Sequence, residues 1–382
     1  MALVLNEEQQ ILKDTAREFI TERAPISELR RLRDEQSAVG FDRKTWASMA
    51  ELGWPAILIP QTYGGADFGM QGLGAVLEET GRTLSASALI STALIGASLI
   101  NKLGTDEQRA TWLSAIAKGD LVTALALEEG PHHNPTRIET SAYRDGDHFV
   151  VHGEKTFVLD GHVADLLLIV ARTCGDANDE AGLSIFACPP DTPGITVERM
   201  IMVDTRNAAN LQLSGVRCPA TMLLGTIDRV GTARASLEQV LDLARIGLSA
   251  EMLGSVSEAF DRTMAFLKTR HQFGALIGSF QALKHRAAVM FCEIELARSA
   301  VMGALEAAQT EADSTALLAS LAKARLADTF HLVSDEAVQM HGGIGMTDEE
   351  EIGFFMKRAR VAEQTFGDAK FHRARYARLS GF

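Results

Sequence analysis

Apolar residues recur at helical spacing along the C-terminal part of the chain. No proline interrupts the segment from Ala220 to Phe382, and helix-like runs cover 281–309, 314–340 and 350–378. A further run, 235–269, would form a helix of about 50 Å at 1.5 Å per residue. Its apolar stripe consists of Leu237, Leu241, Ala244, Leu248, Met252, Val256 and Phe260. The pattern predicts a bundle of long antiparallel helices.

The N-terminal part of the chain is also predicted to be mostly helical. Asn6 is a suitable N-cap for a first helix. The Pro- and Gly-containing segment 53–65 is typical of a loop between helices. The first helix is expected to bury one face formed by Ile11, Leu12, Thr15, Phe19 and Ile20.

Between the two helical parts, the pattern changes to short β-branched runs separated by Gly, Asp and Pro. The runs lie at 148–161, 164–173, 182–190 and 195–201 and do not alternate with helical segments. This indicates a separate antiparallel, barrel-like β-domain and excludes a doubly wound sheet. We therefore predict a mainly α protein with a central β-domain. The predicted domains are an N-terminal helical domain (1–120), the β-domain (121–225) and a C-terminal four-helix bundle (226–382).

Composition narrows the class of protein. The chain has 382 residues, of which 46% are hydrophobic and 23% are charged, as in a folded globular protein. The net charge of -13 argues against a nucleic-acid-binding protein. Apolar stretches such as 163–171 are too short to span a bilayer, and the first residues lack signal-peptide features. We expect a cytoplasmic protein with no membrane partner.

Cysteines and histidines predict no metal site. The four cysteines are scattered and are expected to be buried thiols rather than a disulfide framework: Cys174, Cys188, Cys218 and Cys292. His132 and His133 are adjacent, and we expect them to be solvated. The chain contains no Walker A sequence, no G-x-S-x-G and no H-E-x-x-H.

Three spaced motifs are more informative than these general patterns. The first, R-x-x-F-G-x-x-I-x-x-F-Q, spans Arg270 to Gln281, and the second, Q-x-x-G-G-x-G, spans Gln339 to Gly345. The third comprises Gly53, Trp54, Pro60, Gly64 and Gly65. Together with the three-part organisation, these motifs resemble those of the acyl-CoA dehydrogenase family along the whole chain.

The resemblance implies an FAD site. Glycines at positions 342, 343 and 345 allow backbone N–H groups to approach phosphate oxygens closely. The guanidinium of Arg270 can bind pyrophosphate, and the amides of Gln281 and Gln339 can bind phosphate or sugar groups. Taken alone, the glycine segment would favour a simple turn between helices, but together with the Arg270–Gln281 motif it does not. The expected cofactor-binding residues are Arg270, Phe273, Gln281, Gln339, Gly342 and Gly343.

The reaction implied by the resemblance is α,β-desaturation of an acyl-CoA thioester. A carboxylate removes the α-proton, hydride passes to flavin N5, and electrons leave to an electron-transferring flavoprotein. Both usual positions of the base lack a carboxylate in this chain. The C-terminal E-G-T is replaced by Phe366, Gly367 and Asp368, and the helical L-D-L-E-R by L-D-L-A-R with Ala244.

Two carboxylates remain as candidates for the base. Glu251 lies two helical turns beyond Ala244 in an apolar segment, where an unpaired carboxylate is costly. The alternatives for Glu251 are an exposed position or a partner to an arginine. Asp368 is either the base or a cofactor contact. We expect Glu363 to be structural.

Other family positions differ or remain ambiguous. The T-E-P turn that contacts flavin is replaced by Glu128, Glu129 and Gly130. The W-x-T segment begins here with Phe157 and ends with Leu159, so an aromatic ring is kept and a hydroxyl is lost. Asp242 and Arg245 match residues near the thioester ligand, although a helix-surface ion pair would show the same spacing.

These differences resemble a divergent bacterial branch of the family. Some members of that branch act on steroid or ring-derived acyl-CoA esters, and some form heterotetramers. Small residues at Ala244, Gly247 and Ala250 favour a bulky acyl group or close helix packing. The leading hypothesis is a homo-oligomeric or hetero-oligomeric FAD-dependent dehydrogenase. The alternatives are a non-catalytic subunit that completes a partner's site and an oxidase on the same scaffold.

Overall fold

The computed structural model describes residues 4–382, apart from the side chain of residue 228. It confirms the predicted order of helices, central sheet and helices. Two π-helical segments, Leu89–Gly96 and Arg109–Leu113, lie among the N-terminal helices. The α-helices are α1 (Glu7–Arg23), α2 (Ile26–Asp34), α3 (Arg43–Glu51), α4 (Met70–Arg82), α5 (Ala97–Leu103), α6 (Asp106–Gln108), α7 (Ser114–Ala117), α8 (Arg234–Thr269), α9 (Gln281–Gln309), α10 (Thr315–His341), α11 (Ile352–Gln364) and α12 (Ala369–Leu379).

The start of α1 agrees with the sequence, but its buried face does not. Asn6 Oδ1 accepts from Gln9 N at 2.8 Å, and the Gln9 side chain accepts from Asn6 N at 3.0 Å. Ile20 is buried as predicted, whereas Ile11 is 60% exposed. The buried face comprises Gln9, Ala16 and Ile20, because this side of α1 packs against α4, where Gln9 bonds to Gln71.

Helix α8 is buried on nearly every side rather than along one stripe. Its polar residues tolerate this position because their hydroxyls bond to carbonyls one turn earlier. Ser249 donates to Arg245 O at 2.7 Å, and Ser257 donates to Leu253 O at 2.7 Å. The helix therefore carries few unpaired polar groups into the interior.

A close crossing of α4 and α8 depends on two glycines. A Cβ atom at Gly81 would lie 2.0 Å from Glu251 O, and one at Gly254 would lie 1.7 Å from Glu78 O. Ser255 Oγ donates to Gly81 O at 2.8 Å across the same crossing. The two backbones can approach this closely only because neither position has a side chain.

The final helical run is two helices rather than one. The prediction of a continuous helix over 350–378 is wrong at 365–368, where α11 ends and α12 begins. Phe366 and Gly367 have positive φ angles of 58° and 103°, and the Asp368 side chain caps α12. This segment is the F-G-D sequence that replaces the family's E-G-T.

The central sheet contains seven strands in the order β1-β4-β2-β3-β7-β6, with β5 paired to β4. It is mostly antiparallel, as predicted, but β1 and β4 run parallel. Three strands, β1, β2 and β7, lie outside the strand-like runs that the sequence indicated. The strands are β1 (Thr123–Ala126), β2 (Ser141–Asp145), β3 (His148–Leu159), β4 (Leu166–Arg172), β5 (Leu183–Cys188), β6 (Ile195–Ile201) and β7 (Asn207–Pro219), followed by a separate hairpin of β8 (His271–Gln272) and β9 (Ala275–Leu276).

The prediction of four buried thiols is wrong. Cys188 on β5 and Cys218 on β7 are buried and form a disulfide with their Cα atoms 6.7 Å apart. Cys174 and Cys292 are exposed. Sequence spacing did not show the pair because the fold of the β-domain, not the local sequence, brings the two strands together.

Backbone contacts divide the chain into two compact units. The first contains the described residues up to Asp34, with Met70–Ala86 and Arg245–Phe382. The second contains Glu35–Gly69 and Ser87–Ala244. The three domain boundaries expected from the sequence stay a prediction. Among the described residues, no helix combines the length and apolar character that crossing a membrane requires.

The glycine crossing yields a stability prediction. We expect Gly254→Ala to lower the free energy of unfolding by about 2 kcal/mol, because its methyl group would overlap the Glu78 carbonyl. Gly303→Ala in α9 is the matched control, since a Cβ there meets nothing within 4 Å and alanine favours the helix. Urea unfolding of both variants measures the difference. Equal stability of the two variants would contradict the close crossing.

Candidate active site

Residues of the predicted cofactor motif meet at one end of the C-terminal helices. Helix α8 ends, α9 begins and α10 ends at this place, as the stacked rings of Phe266 and His341 show, with centroids 4.3 Å apart. An ion pair between Arg286 on α9 and Glu336 on α10 ties the same end together. Arg270, Gln281 and Gln339 are therefore carried by neighbouring helix ends.

The hairpin between α8 and α9 displays an aromatic ring. Strand pairing of β8 with β9 leaves Phe273 and Gly274 as a two-residue loop, with φ angles of 53° and 75°. Two positive φ angles are typical of the tight turns that connect hairpin strands. The Phe273 side chain is 91% exposed. Its ring and the Phe280 ring are in an edge-type arrangement, with their centroids 6.3 Å apart. The hairpin thus presents a large apolar surface to solvent.

The glycine turn after α10 has an open side and a packed side. Gly342 has a φ of 66°, and a Cβ at Gly342 or Gly343 would meet nothing within 4 Å. A Cβ at Gly345 would instead lie 2.7 Å from Val338 O. Close packing therefore requires Gly345, whereas the two preceding glycines leave open space beside the backbone.

Polar side chains around this turn are available to a ligand. Arg270, Gln281 and Gln339 are exposed, and none of them makes a side-chain hydrogen bond or ion pair within residues 4–382. Guanidinium and amide donors beside an open glycine turn suit phosphate and ribose oxygens. The residues present at this end of the helices fit the phosphate and sugar groups of a flavin nucleotide.

Phe157 and Leu159 lie at an irregular end of β3 in the second unit. The register with β7 shifts between Lys155 and Val158, and Phe157 has a φ of 51°. Such irregularities change the direction of a side chain within a strand. Phe157 is 42% exposed, which suits a ring that covers part of a cofactor.

A buried lysine on β3, Lys155, supports the turn that replaces T-E-P, and the sequence did not reveal it. Lys155 Nζ donates to Glu129 Oε1 at 2.7 Å and to Leu127 O at 3.1 Å. Burial lowers the pKa of Lys155 to about 8. Within the same turn, Glu128 pairs with His133, whose side chain is 3% exposed. The expectation that His133 is solvated is therefore wrong.

Asp368 is engaged in helix capping. Its Oδ1 atom accepts from Phe371 N at 2.7 Å, which satisfies a donor in the first turn of α12. It also lines an open cavity of about 550 Å³ together with Lys370 and Arg373. The same cavity is also lined by Asp328, Asp335, Glu336 and Glu363, and Arg373 is paired with Asp328.

Glu251 is buried and paired with an arginine, one of the alternatives that the sequence left open. Its Oε1 accepts from Arg358 Nη2 at 2.9 Å and from Nε at 3.0 Å. The two side chains are 3% and 6% exposed. The pair favours the charged carboxylate, since a nearby guanidinium stabilises the deprotonated form.

Three buried nitrogen donors converge on the turn between α11 and α12. Lys323 Nζ donates to Glu363 O and to Gly367 O, both at 2.9 Å. His372 Nε2 lies 3.0 Å from Phe366 O, and Arg245 Nε lies 3.5 Å from the same oxygen. Neither Lys323 nor Arg245 is exposed to solvent. Donors from three helices therefore bond to the backbone carbonyls of the turn at the family's base position.

The burial of Asp242 and Arg245 excludes one of the two alternatives for these residues of the L-D-L-A-R segment. Asp242 is 5% exposed and Arg245 is fully buried. A helix-surface ion pair is therefore excluded for both residues. Their assignment to the thioester ligand stays a prediction.

Family models match nearly the whole chain. The acyl-CoA dehydrogenase N-terminal domain matches residues 6–120, the middle domain residues 125–216 and the C-terminal domain residues 233–380. The chain belongs to the acyl-CoA dehydrogenase family. It is an oxidoreductase that acts on CH–CH bonds, and the family implies a flavin cofactor and acyl-CoA oxidation.

Individual relatives agree with this placement. The probable acyl-CoA dehydrogenase YngJ of Bacillus subtilis is 30% identical over 99% of both chains. The acyl-CoA dehydrogenase FadE12 of Mycobacterium tuberculosis is 33% identical over 83% of this chain and 82% of its own. A solved variant of the Tcur3481–Tcur3483 steroid ACAD is 30% identical, with a TM-score of 0.87 and 98% coverage of each chain.

The Glu251–Arg358 pair yields a prediction of stability and its pH dependence. Arg358→Met would remove the guanidinium that is bonded to a buried carboxylate, and we expect a loss of about 3–5 kcal/mol at pH 8. Without that guanidinium the pKa of Glu251 would rise, so the loss should become smaller at pH 5, where the carboxyl group binds a proton more readily. Arg360→Met, which removes a partly exposed arginine of α11, is the control.

Chemical denaturation at both pH values measures these differences. Adding Glu251→Gln to Arg358→Met should restore part of the lost stability, because the buried negative charge that has lost Arg358 is then absent. An equal loss in the Arg358→Met and Arg360→Met variants would contradict a buried pair.

Proposed function

We propose that the chain catalyses FAD-dependent α,β-desaturation of an acyl-CoA thioester. A base removes the α-proton while the β-hydrogen leaves as hydride, so the α,β-bond becomes double. When bound, FAD would supply the hydride acceptor at N5. Electrons would then pass to an electron-transferring flavoprotein, as the family resemblance implies.

One observation carries this proposal. Arg270, Gln281 and Gln339 surround an open glycine turn and have no partner among the described side chains. Exposed donors left unpaired at one end of a bundle are what a pyrophosphate-containing ligand requires. Phe157, Leu159 and Asp368 are proposed as further cofactor contacts, and Asp242 and Arg245 as contacts of the thioester-bearing ligand.

A bulky acyl group is the proposed substrate class. The solved relative with 30% identity is described as a steroid ACAD, and its length matches this chain almost completely. We extend that description to this chain as a proposal: a polycyclic or branched acyl-CoA rather than a short straight one.

Glu251 is the proposed base if the chain is self-sufficient. It is a buried carboxylate, and burial away from water is what removal of a weakly acidic α-proton requires. Its bond to Arg358 holds its Oε1 atom in place, at the cost of lower basicity. Asp368 is the second candidate, with its capping bond as the competing role.

Flavin bleaching tests the assignment of Glu251. In the absence of oxygen, a bulky acyl-CoA should bleach the flavin of the wild-type chain, and Glu251→Gln should lower the rate at least a hundredfold. Asp368→Asn is the parallel variant for the second candidate. The flavin content of each variant separates a loss of base from a loss of cofactor.

Unchanged bleaching in Glu251→Gln would exclude Glu251 as the base. Unchanged bleaching in both variants would exclude both candidates within this chain.

A second candidate function, a subunit that completes the active site of a homologous partner, is favoured by the engagement of both carboxylates. Arg358 binds Glu251, and the backbone of α12 binds Asp368. Helix α9 also exposes apolar side chains that suit a subunit contact. They include Val289 at 54%, Phe291 at 53% and Leu296 at 58% exposure.

Co-expression tests the second candidate. The half-site hypothesis predicts that this chain co-purifies with a homologous chain that carries the missing glutamate, and that bleaching requires both. Leu296→Glu on the exposed side of α9 should weaken such an assembly, whereas Lys284→Glu on the same helix changes charge without removing apolar surface. Full bleaching by this chain alone would contradict the half-site hypothesis.

A further inference from the structure

Three carbonyl oxygens of one short segment face buried nitrogen donors. They belong to Glu363, Phe366 and Gly367, at the junction of α11 and α12. Lys323 on α10 donates to two of these oxygens, Glu363 O and Gly367 O. Because one ammonium group joins oxygens four residues apart, it fixes the path of the backbone between them.

The conformation of this segment is one that residues other than glycine rarely adopt. Phe366 has a φ of 58°, a left-handed conformation that costs free energy for a bulky residue. A Cβ at Gly367 would lie 2.5 Å from the Phe371 ring, so the turn also packs closely against α12. Such a conformation persists only where surrounding contacts outweigh its cost, and the two bonds of Lys323 are such contacts.

We propose that Lys323 is a positioning residue for this turn and, through it, for the Asp368 carboxylate and the α12 N-terminus at the cofactor site. The proposal rests on the proposed function, because Asp368 is there a cofactor contact. Lys323 does not touch the cofactor. Its two bonds to Glu363 O and Gly367 O keep the turn in its left-handed form before any ligand binds.

Lys323 gains or loses its charge near neutral pH. Its pKa is lowered to about 7, chiefly by burial and also by Arg245 and Arg358, while Glu363 and Asp368 act in the opposite direction. The ammonium form makes the stronger bonds to carbonyl oxygens. As pH rises through 7, the lysine loses its charge and its hold on the turn weakens. Two further titratable or charged groups contact the same turn or helix: His372 bonds to Phe366 O, and Arg375 bonds to Ser320 on α10.

Hydrogen exchange tests the proposal without any cofactor. In the FAD-free chain, the amides of Thr365 and Gly367 donate to Val361 O and Gln364 O. Lys323→Met should speed their exchange at least tenfold, because the turn loses two charge-assisted bonds. Arg325→Met removes a cation two residues along α10 that pairs with Glu293 and should leave the exchange unchanged. Unchanged exchange in Lys323→Met would overturn the proposal.

The pH dependence of FAD binding separates positioning from a general role in folding. For the wild-type chain, the dissociation constant of FAD should rise about tenfold between pH 6 and pH 8.5. Lys323→Arg cannot lose its charge in this range, so the step should disappear. If Lys323→Met fails to fold, the Lys323→Arg variant still tests the proposal. A step that persists in Lys323→Arg, or is absent from the wild type, would overturn the proposal.

The two experiments distinguish this proposal from the proposed function. If the wild-type chain binds no FAD at any pH, the proposed function fails. The exchange of Thr365 and Gly367 still decides whether Lys323 holds the turn. If FAD binds normally but Lys323→Met changes neither the exchange nor the pH step, only the positioning role fails.

Discussion

The C-terminal helices depend on buried positive charge that must be neutralised or bonded. Four cationic side chains are buried there, and an unbonded buried cation would be strongly destabilising: Arg245, Lys323, Arg358 and Arg375. Arg358 is paired with the buried carboxylate of Glu251, whereas Lys323 is bonded to backbone carbonyls. Arg375 similarly binds Ala316 O and Ser320 Oγ. The carbonyls at the end of α11 and in the turn after it therefore bond to two of these cations, Lys323 and Arg245.

This arrangement divides the polar groups of the bundle into two sets with different roles. The four buried cations have partners within the chain, and two of them, Lys323 and Arg245, bond to the turn at 365–368. At the helix ends near Gly342, by contrast, Arg270 and Gln339 are exposed and are left for a ligand. A rigid interior combined with available donors at one end is the arrangement expected of a preformed cofactor site.

Local patterns in the sequence were sufficient for several of the regular elements. The predicted run 281–309 has the same bounds as α9, and 195–201 has the same bounds as β6. The long helix over 235–269 differs from α8 by one residue at its start. In these segments the periodicity and the breaking residues agree, so tertiary contacts had little to alter.

The missed features depend on contacts between distant segments. The turn at 365–368 is bonded to Lys323 from another helix, and the buried His133 side chain is paired with Glu128 in a folded turn. A lysine at position 155 gave no sequence signal that it would be buried beside Glu129. The cofactor motifs were recognisable because their residues are close in sequence. The arginine that pairs with Glu251 could not be recognised in this way, because Arg358 lies 107 positions further along the chain.

The central claim is that this chain's own residues hold FAD. The most direct test is the visible absorption spectrum of the chain expressed alone, incubated with excess FAD and separated from free cofactor, which yields the ratio of flavin to protomer. The account predicts a ratio near one. A ratio near zero would contradict it and would assign the chain to the half-site role beside a homologous subunit.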